Sequence, residues 1–417
     1  MIKQQIRRVV VTGYGAVTPL GMSAAQSWQS IMDYRLGYQK HNLSAAGIHS
    51  CFYGELENEP EIRFVPASIR RRLPRFARLS MAAAKEAIEQ AFGDGHPQDY
   101  YPDTACGAII GTGWAGQDES IANHDQYRDT GLGSTFGCIF SMPNVATAAC
   151  SQFWGLRGYQ NTPVAACATG TIAIGDAFEA IRSGRASMML AGGGESLRSN
   201  TSIWNIDILR ALSREQEDIT RACCPFSLNR SGFVLSEGAA VVCLEERESA
   251  IARGATLLGE IVGYGNFSDA TDFTAPADDK LARVATIAFA LQQAGIAHDD
   301  VDYINAHGTS TQLNDKNACE AIKLAFGDAA YRIPVSSTKS YSGHLIAAAG
   351  SFETIVCLQA IRHGTVPATH HLSSADPQCD LDFVAEGHRQ ATLTYALNLS
   401  FGFGGANAAL VLRRAEQ

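Results

Sequence analysis

Four side chains in this sequence stand where an α/β chain can do chemistry. Cys167 lies in Pro163-Val164-Ala165-Ala166-Cys167-Ala168-Thr169-Gly170, a short apolar strand running into small residues. A helix then follows through Ala173, Ala177, Phe178 and Ile181 to Gly184. Small neighbours suit a sharp strand-to-helix elbow beneath a nucleophile. A thiol at a helix N-terminus meets the positive end of the helix dipole, which lowers its pKa and favours thiolate. The chemistry on offer is nucleophilic, with a covalent intermediate on sulfur. The plain alternative is core packing, the expected fate of the other cysteines.

Two histidine motifs follow. Asn305-Ala306-His307-Gly308-Thr309-Ser310-Thr311 sets His307 just past a strand with hydroxyls beyond it. Ser336-Ser337-Thr338-Lys339-Ser340-Tyr341-Ser342-Gly343-His344 puts Lys339 and His344 on a loop that opens another helix. Loops at strand ends are where α/β folds carry function. A neutral imidazole can donate to a developing enolate oxygen while a nearby cation stabilises charge. Spacing and composition make Cys167, the two His and Lys339 a poor zinc set, and no metal or organic cofactor is expected. Ser400-Phe401-Gly402-Phe403-Gly404-Gly405 follows a further strand, and Gly-rich backbone there can bring N–H groups close to an oxyanion. His370-His371 reads as surface structure. Gly111-Thr112-Gly113-Trp114-Ala115-Gly116 matches a dinucleotide fingerprint. Trp114, however, fills the place a pyrophosphate needs, and no acidic residue ends a second strand about 20 residues later.

Short β-branched runs alternate with Ala-rich stretches, so these motifs belong to an α/β chain. Strands are expected at Arg8–Thr12, Ala108–Ile110, Ser187–Ala191, Ala239–Leu244, Gly259–Val262, Val301–Ile304, Val335–Ser337 and Tyr395–Ser400. Helices are expected at Leu79–Phe92, Glu245–Arg253, Leu281–Ala294, Asn317–Phe326 and Ile346–Arg362. The 417 residues exceed one ordinary core, and the softest boundary divides 1–255 from 256–417. No residue-level repeat links these halves, so any duplication is structural. Apolar residues are 46% and charged ones 18%, which favours burying surface against another subunit. The net charge of −9 disfavours nucleic acid. The absence of a long apolar stretch argues against a membrane span, and the 11 cysteines without metal-type spacing read as reduced, cytoplasmic thiols. Arg70, Arg71, Arg72, Arg75 and Arg78 make a local basic cluster, either a solvated face or a docking site for an acidic protein.

Together the four motifs resemble the β-ketoacyl-[acyl carrier protein] synthase family, most of all its elongating, synthase II-like branch with a Cys-His-His set. The resemblance runs from Val9-Val10-Val11-Thr12-Gly13 to Phe401-Gly402-Phe403-Gly404-Gly405. It implies a thiolase fold of five layers, α-β-α-β-α, built from two similar halves and dimeric. It implies that Cys167 takes an acyl group from the carrier protein's phosphopantetheine. His307 and His344 then promote decarboxylation of a malonyl thioester, whose enolate attacks the acyl group. The oxyanion hole would be the N–H groups of Cys167 and Phe403, with Phe403 also a gate beside Phe401. Thr309 and Thr311, with Thr274, would hold the pantetheine arm. The cluster at Arg70, Arg71, Arg72 and Arg75 would meet the acidic acyl carrier protein. Substrates arrive on that carrier, and the second chain of the dimer is either a copy or a ketosynthase-like subunit. A chain-length factor is the rival; such partners lack the nucleophile.

Three departures from the family pattern stand out. Where an acidic residue usually pairs with the active-site lysine, three positions after Asp315, the chain has Ala318. Either Glu320 substitutes or Lys339 lacks its carboxylate. The run Pro225–Gly232 has Ser227 and Ser231 where Asp is common. Trp114 falls on an acyl-pocket position that is usually smaller, implying a shortened pocket or one shaped for flat unsaturated chains. These features point to a specialised fatty acid or polyketide synthase, such as one for aryl polyenes.

Overall fold

The computed structural model describes residues 6–41 and 47–416. Ten strands form one hydrogen-bonded series. They are β1 Val9–Val17, β2 Cys106–Gly111, β3 Gln160–Asn161, β4 Met188–Glu195 and β5 Gly238–Glu246. The rest are β6 Gly259–Ser268, β7 Tyr303–Asn305, β8 Val335–Ser336, β9 Tyr395–Gly402 and β10 Ala406–Arg413. Their spatial order is β8-β7-β9-β10-β6-β1-β5-β4-β2-β3. At the centre only Val9–Val11 pairs with Gly259–Ile261, so the series divides there into two five-stranded halves.

Both halves repeat the same directions. From each outer edge inward, two parallel ladders (β3/β2 and β2/β4; β8/β7 and β7/β9) give way to two antiparallel ones (β4/β5 and β5/β1; β9/β10 and β10/β6). The duplication absent from the residues is therefore present in the topology. Helices α1 Arg75–Phe92 and α2 Gln117–Thr130 belong to the first half, and α3 Thr169–Arg182 follows β3. Helices α4 Leu281–Ala294, α5 Gln312–Phe326 and α6 Ala349–His363 belong to the second. Helix α1 covers β1, β4 and β5 from outside, and α4 covers β6 and β10 with α5 beside it. Between the sheets, α3 and α6 pack on each other and on strands of both halves. This is the five-layered thiolase fold.

The middle layer explains two of the most apolar segments in the chain. Every residue from Ala349 to Ile361 is buried, as a helix enclosed on all sides requires. Helix α3 buries all but a few of its side chains. Each central helix is entered through a one-turn 3-10 segment, Ala166–Ala168 before α3 and Ile346–Ala348 before α6. Each segment begins with a non-glycine residue at positive φ, Ala166 at 46° and Ile346 at 51°. Such backbone costs energy and persists because the surrounding packing fixes it. The two strained elbows face each other at the centre of the molecule.

Several expected boundaries shift, for physical reasons. β1 runs past the expected end at Thr12 to Val17, through Gly13 and Gly15. A Cβ at either glycine would collide with the carbonyl oxygen of Ala87 or Ala83, so these glycines admit α1 against the sheet. Helix α1 begins at Arg75 rather than Leu79. Helix α5 begins at Gln312, five residues early, with the Thr311 hydroxyl accepting from the Asn314 N–H at 3.4 Å. No strand leads into Cys167. β3 ends at Asn161, and residues 162–165 reach the elbow as irregular chain.

Candidate active site

The sheet ends and the two elbows bring Cys167, His307, Lys339 and His344 together. Cys167 sits in the first elbow, His307 on the loop after β7, and His344 two residues before Ile346 of the second elbow. The cysteine sulfur and a ring nitrogen of each histidine lie within 4.8 Å of one another. All three side chains are buried. The rings of His307 and His344 meet edge-on, centroids 5.4 Å apart at 81°. A metal ion could span these atoms geometrically, but a dication would sit beside the Lys339 ammonium, 3.3 Å from His307 Nδ1.

Hydrogen bonds set the tautomer of each imidazole. The Ile346 N–H donates to His344 Nδ1 at 3.2 Å, so the ring proton lies on Nε2. Lys339 Nζ donates to His307 Nδ1, which places that ring's proton on Nε2 as well. Both rings are held neutral. Burial first and then the Lys339 charge push both pKa values well below the usual 6.5, and His344 and Arg283 lower His307 further. Among the described residues His344 Nε2 has no partner, and it is free to donate to a substrate oxygen.

The thiol behaves differently from the expectation of a lowered pKa. Burial pushes Cys167 up to about 12, against the pull of Lys339 and of the N–H groups of Phe403 and Cys167 itself. Desolvation outweighs the helix terminus, and the resting group is a thiol. The two amides singled out for an oxyanion hole do point at the sulfur. Gly402 makes that approach possible, since a Cβ there would lie 2.6 Å from Ala165 O and 3.2 Å from Cys167 N.

Lys339 does not lack a carboxylate, and Glu320 does not supply it. Glu353, on central helix α6, is its ion-pair partner, both side chains being at most 2% exposed. Glu320 instead bonds Lys280 at 2.7 Å near the surface. Ala318 is fully buried in an apolar cluster with Ile304, Ile322 and Val335. The signal for Glu353 was present in the sequence as the lone acid in the apolar run Ile346–Ile361. Asp315, buried on α5, is a second acid that shapes the site. Its carboxylate accepts from the N–H groups of Thr309 (2.9 Å), Ser310 (3.1 Å) and Phe226 (2.9 Å), which fixes the loop after His307.

A cavity of about 260 Å³ opens onto Cys167, His307 and His344. Thr309, Thr311, Phe401 and Phe403 line it, with Thr274 exposed at its wall. The Thr309 and Thr311 hydroxyls are 3.0 Å apart. Trp114 is not in that lining. It packs, half-buried, on the apolar cluster of Cys167, Leu197, Ile203, Ile206 and Ile346. Its Gly-rich loop is occupied from within: buried Glu195 accepts from Gly113 N–H at 2.7 Å and Thr112 Oγ1 at 3.3 Å, where a nucleotide phosphate would need those donors. The basic cluster also divides. Arg71 and Arg72 are exposed and Arg70 is half-buried. Arg75 is buried, paired to Glu237 at 2.6 Å and to Glu59, so it cannot meet a partner.

A duplicated five-layer fold carrying a buried Cys-His-His-Lys cluster defines a thiolase-fold condensing enzyme. The family pattern for the β-ketoacyl synthase N-terminal domain matches residues 6–250, and that for the C-terminal domain matches 258–373. The chain belongs to the β-ketoacyl synthase family. It is 39% identical over 417 residues to 3-oxoacyl-[acyl-carrier-protein] synthase 2 of Staphylococcus aureus (strain COL), covering 99% of both chains. A crystal structure of a β-ketoacyl synthase from Burkholderia phymatum STM815 superposes with TM-score 0.92 at 31% identity, covering 98% of this chain and all of that one. A type II PKS acyl-carrier protein in complex with its ketosynthase bound to the hexaketide (AntDE:AntF) gives TM-score 0.90 at 32% identity, covering 99% of this chain.

Proposed function

We propose that this protein is a β-ketoacyl-acyl carrier protein synthase that joins an acyl group on Cys167 to malonyl carrier protein, releasing carbon dioxide. The observation that carries it is the convergence of Cys167 Sγ with two imidazoles whose ring protons both lie on Nε2. In the first half-reaction Sγ attacks the carrier's thioester, and the proton of the buried thiol ends on the departing pantetheine sulfur. In the second, the malonyl Cα–carboxylate bond breaks and its electron pair passes to the thioester enolate. His307 and His344 donate to that enolate oxygen as neutral acids, which depressed pKa values suit. The α-carbon attacks the acyl–Cys167 carbonyl, whose oxyanion faces the N–H groups of Cys167 and Phe403. Collapse expels the sulfur, which recovers a proton, and leaves 3-oxoacyl carrier protein. Thr309 and Thr311 lie on the route of the pantetheine arm.

The carrier is the macromolecular partner, and exposed Arg71 and Arg72, with Arg210 at the cavity mouth, suit its acidic surface. A second synthase-like chain fits the outer edge of the first half. There β3 presents Gln160 and Asn161 exposed, Val164 beyond it is 54% exposed, and α2 buries no side chain. The units 1–255 and 256–417 supply the nucleophile and the His/Lys/His machinery respectively. Trp114 beside the nucleophile's apolar cluster favours a specialised fatty acid or polyketide role, with aryl polyene synthesis the preferred context. Cys167 in place weighs against a chain-length factor.

Intact mass after mixing with acyl carrier proteins, then malonyl carrier protein, tests this. An acyl adduct on Cys167 that the malonyl substrate discharges is expected. His307→Ala and His344→Ala should load but discharge about 10²–10⁴-fold more slowly. Absence of any adduct, alone or with a second synthase-like subunit, would refute the enzyme.

A further inference from the structure

Arg283 is a buried cation that the machinery above leaves unused. It lies in the first turn of α4, 5% exposed, and lines the same cavity as Cys167, His307 and His344. Its Cζ stands 4.1 Å above the Phe401 ring, which in turn meets His307 edge-on at 6.0 Å. Among the described residues it forms no ion pair, and its Nε and Nη1 have no hydrogen-bond partner. The acids that face it are engaged elsewhere. Asp269 accepts from Asn407 Nδ2 at 2.7 Å and from Ala277 N–H at 3.2 Å, and Asp315 holds the Thr309 loop. Burial, only partly offset by the charges of Asp269 and Asp315, depresses this guanidinium to about 10.

A buried, unpaired guanidinium is costly to maintain, and the missing partner it fits is a carboxylate bound through two N–H groups. Building on the condensing reaction above, we infer that Arg283 receives the carboxylate of the malonyl extender and so selects that substrate over thioesters without one. The acyl group that loads Cys167 has no such carboxylate, so Arg283 acts in the second half-reaction. Its effect should fall on binding. The charge it holds leaves as neutral carbon dioxide, so it stabilises the bound substrate more than the transition state. Contact with the Phe401 face keeps the guanidinium desolvated and directed at the site.

The test is a pair of variants, Arg283→Met and Arg283→Lys, each taken through both half-reactions separately. Acyl loading of Cys167 followed by intact mass reports the fold and the nucleophile. Single-turnover discharge against malonyl carrier protein concentration then gives half-saturation and maximal rate. Arg283→Met should load at near the normal rate, need about tenfold to a hundredfold more malonyl carrier protein, and keep or raise its maximal rate. Arg283→Lys should restore much of the affinity. Normal loading with unchanged malonyl half-saturation in Arg283→Met would overturn the assignment while leaving the condensing reaction intact. Equal losses in both half-reactions would make Arg283 a packing residue. A wild-type protein that takes no acyl group would remove the reaction itself, and the inference with it.

Discussion

Glu353→Gln should strip the buried Lys339 ammonium of its counter-charge. Both side chains are at most 2% exposed, so solvent screens little of the loss. Breaking one side of such a pair costs about 3–5 kcal/mol, enough to raise the unfolded fraction more than about a hundredfold. Burial already pushes Glu353 up to about 7 against the pull of Lys339, which shows how much the enclosed layer resists charge. Replacing both partners with apolar residues of similar volume, Lys339→Met with Glu353→Leu, removes the charge conflict and should return stability near that of the wild type. The double variant should nonetheless discharge malonyl substrate poorly, because His307 Nδ1 loses its donor at 3.3 Å and the ring its fixed tautomer. Urea unfolding followed by tryptophan fluorescence measures the first quantity, and single-turnover discharge of acyl–Cys167 the second. A double variant as unstable as Glu353→Gln would refute the reasoning, since the cost would then lie in packing rather than in an uncompensated charge. Full discharge activity in the double variant would refute the role given to Lys339.

Further outcomes are expected elsewhere. Trp114→Ala should open the apolar cluster beside Cys167 and shift acyl preference to longer chains, at about 0.8 kcal/mol per added buried methylene; an unchanged preference across a chain-length series would dispose of that role. Stability should fall between pH about 6.5 and 8.5. Burial raises Glu195 to about 8 from the ordinary 4.5, so its contribution is full below the unfolded value and is lost as pH rises through the folded one. The depressed histidines are neutral in both states above 6.5 and do not oppose this. Glu195→Gln should flatten the dependence of the urea midpoint on pH, and an unaltered slope would place the effect elsewhere. Arg71→Glu with Arg72→Glu should raise the KM for carrier-bound substrate severalfold, a difference that salt erodes; Arg75→Glu should instead unfold or destabilise the protein.

The sequence by itself determined the class of fold and the reacting groups. Cys167, His307, Lys339 and His344 were marked by small residues and glycines at turns that lead into helices, because close backbone approach leaves a local signature. Helix α4 was legible from Leu281 to Ala294 because its apolar period and the closing Gly295 are local as well. Only the tertiary structure decided what each charge meets. Arg283 is the single charge of α4 and Glu353 the single acid of α6, and nothing nearby in the chain shows that one faces the cavity and the other Lys339. The same holds for Arg75, indistinguishable in sequence from Arg71 until Glu237 is brought beneath it from 162 residues away. The thiol's acidity follows that rule too. The helix terminus at Cys167 is visible in the residues, but the burial that outweighs it is made by both halves of the chain closing over one elbow. Hydrogen bonds along a helix or strand are written locally, whereas desolvation and ion pairing depend on distances between segments far apart in sequence.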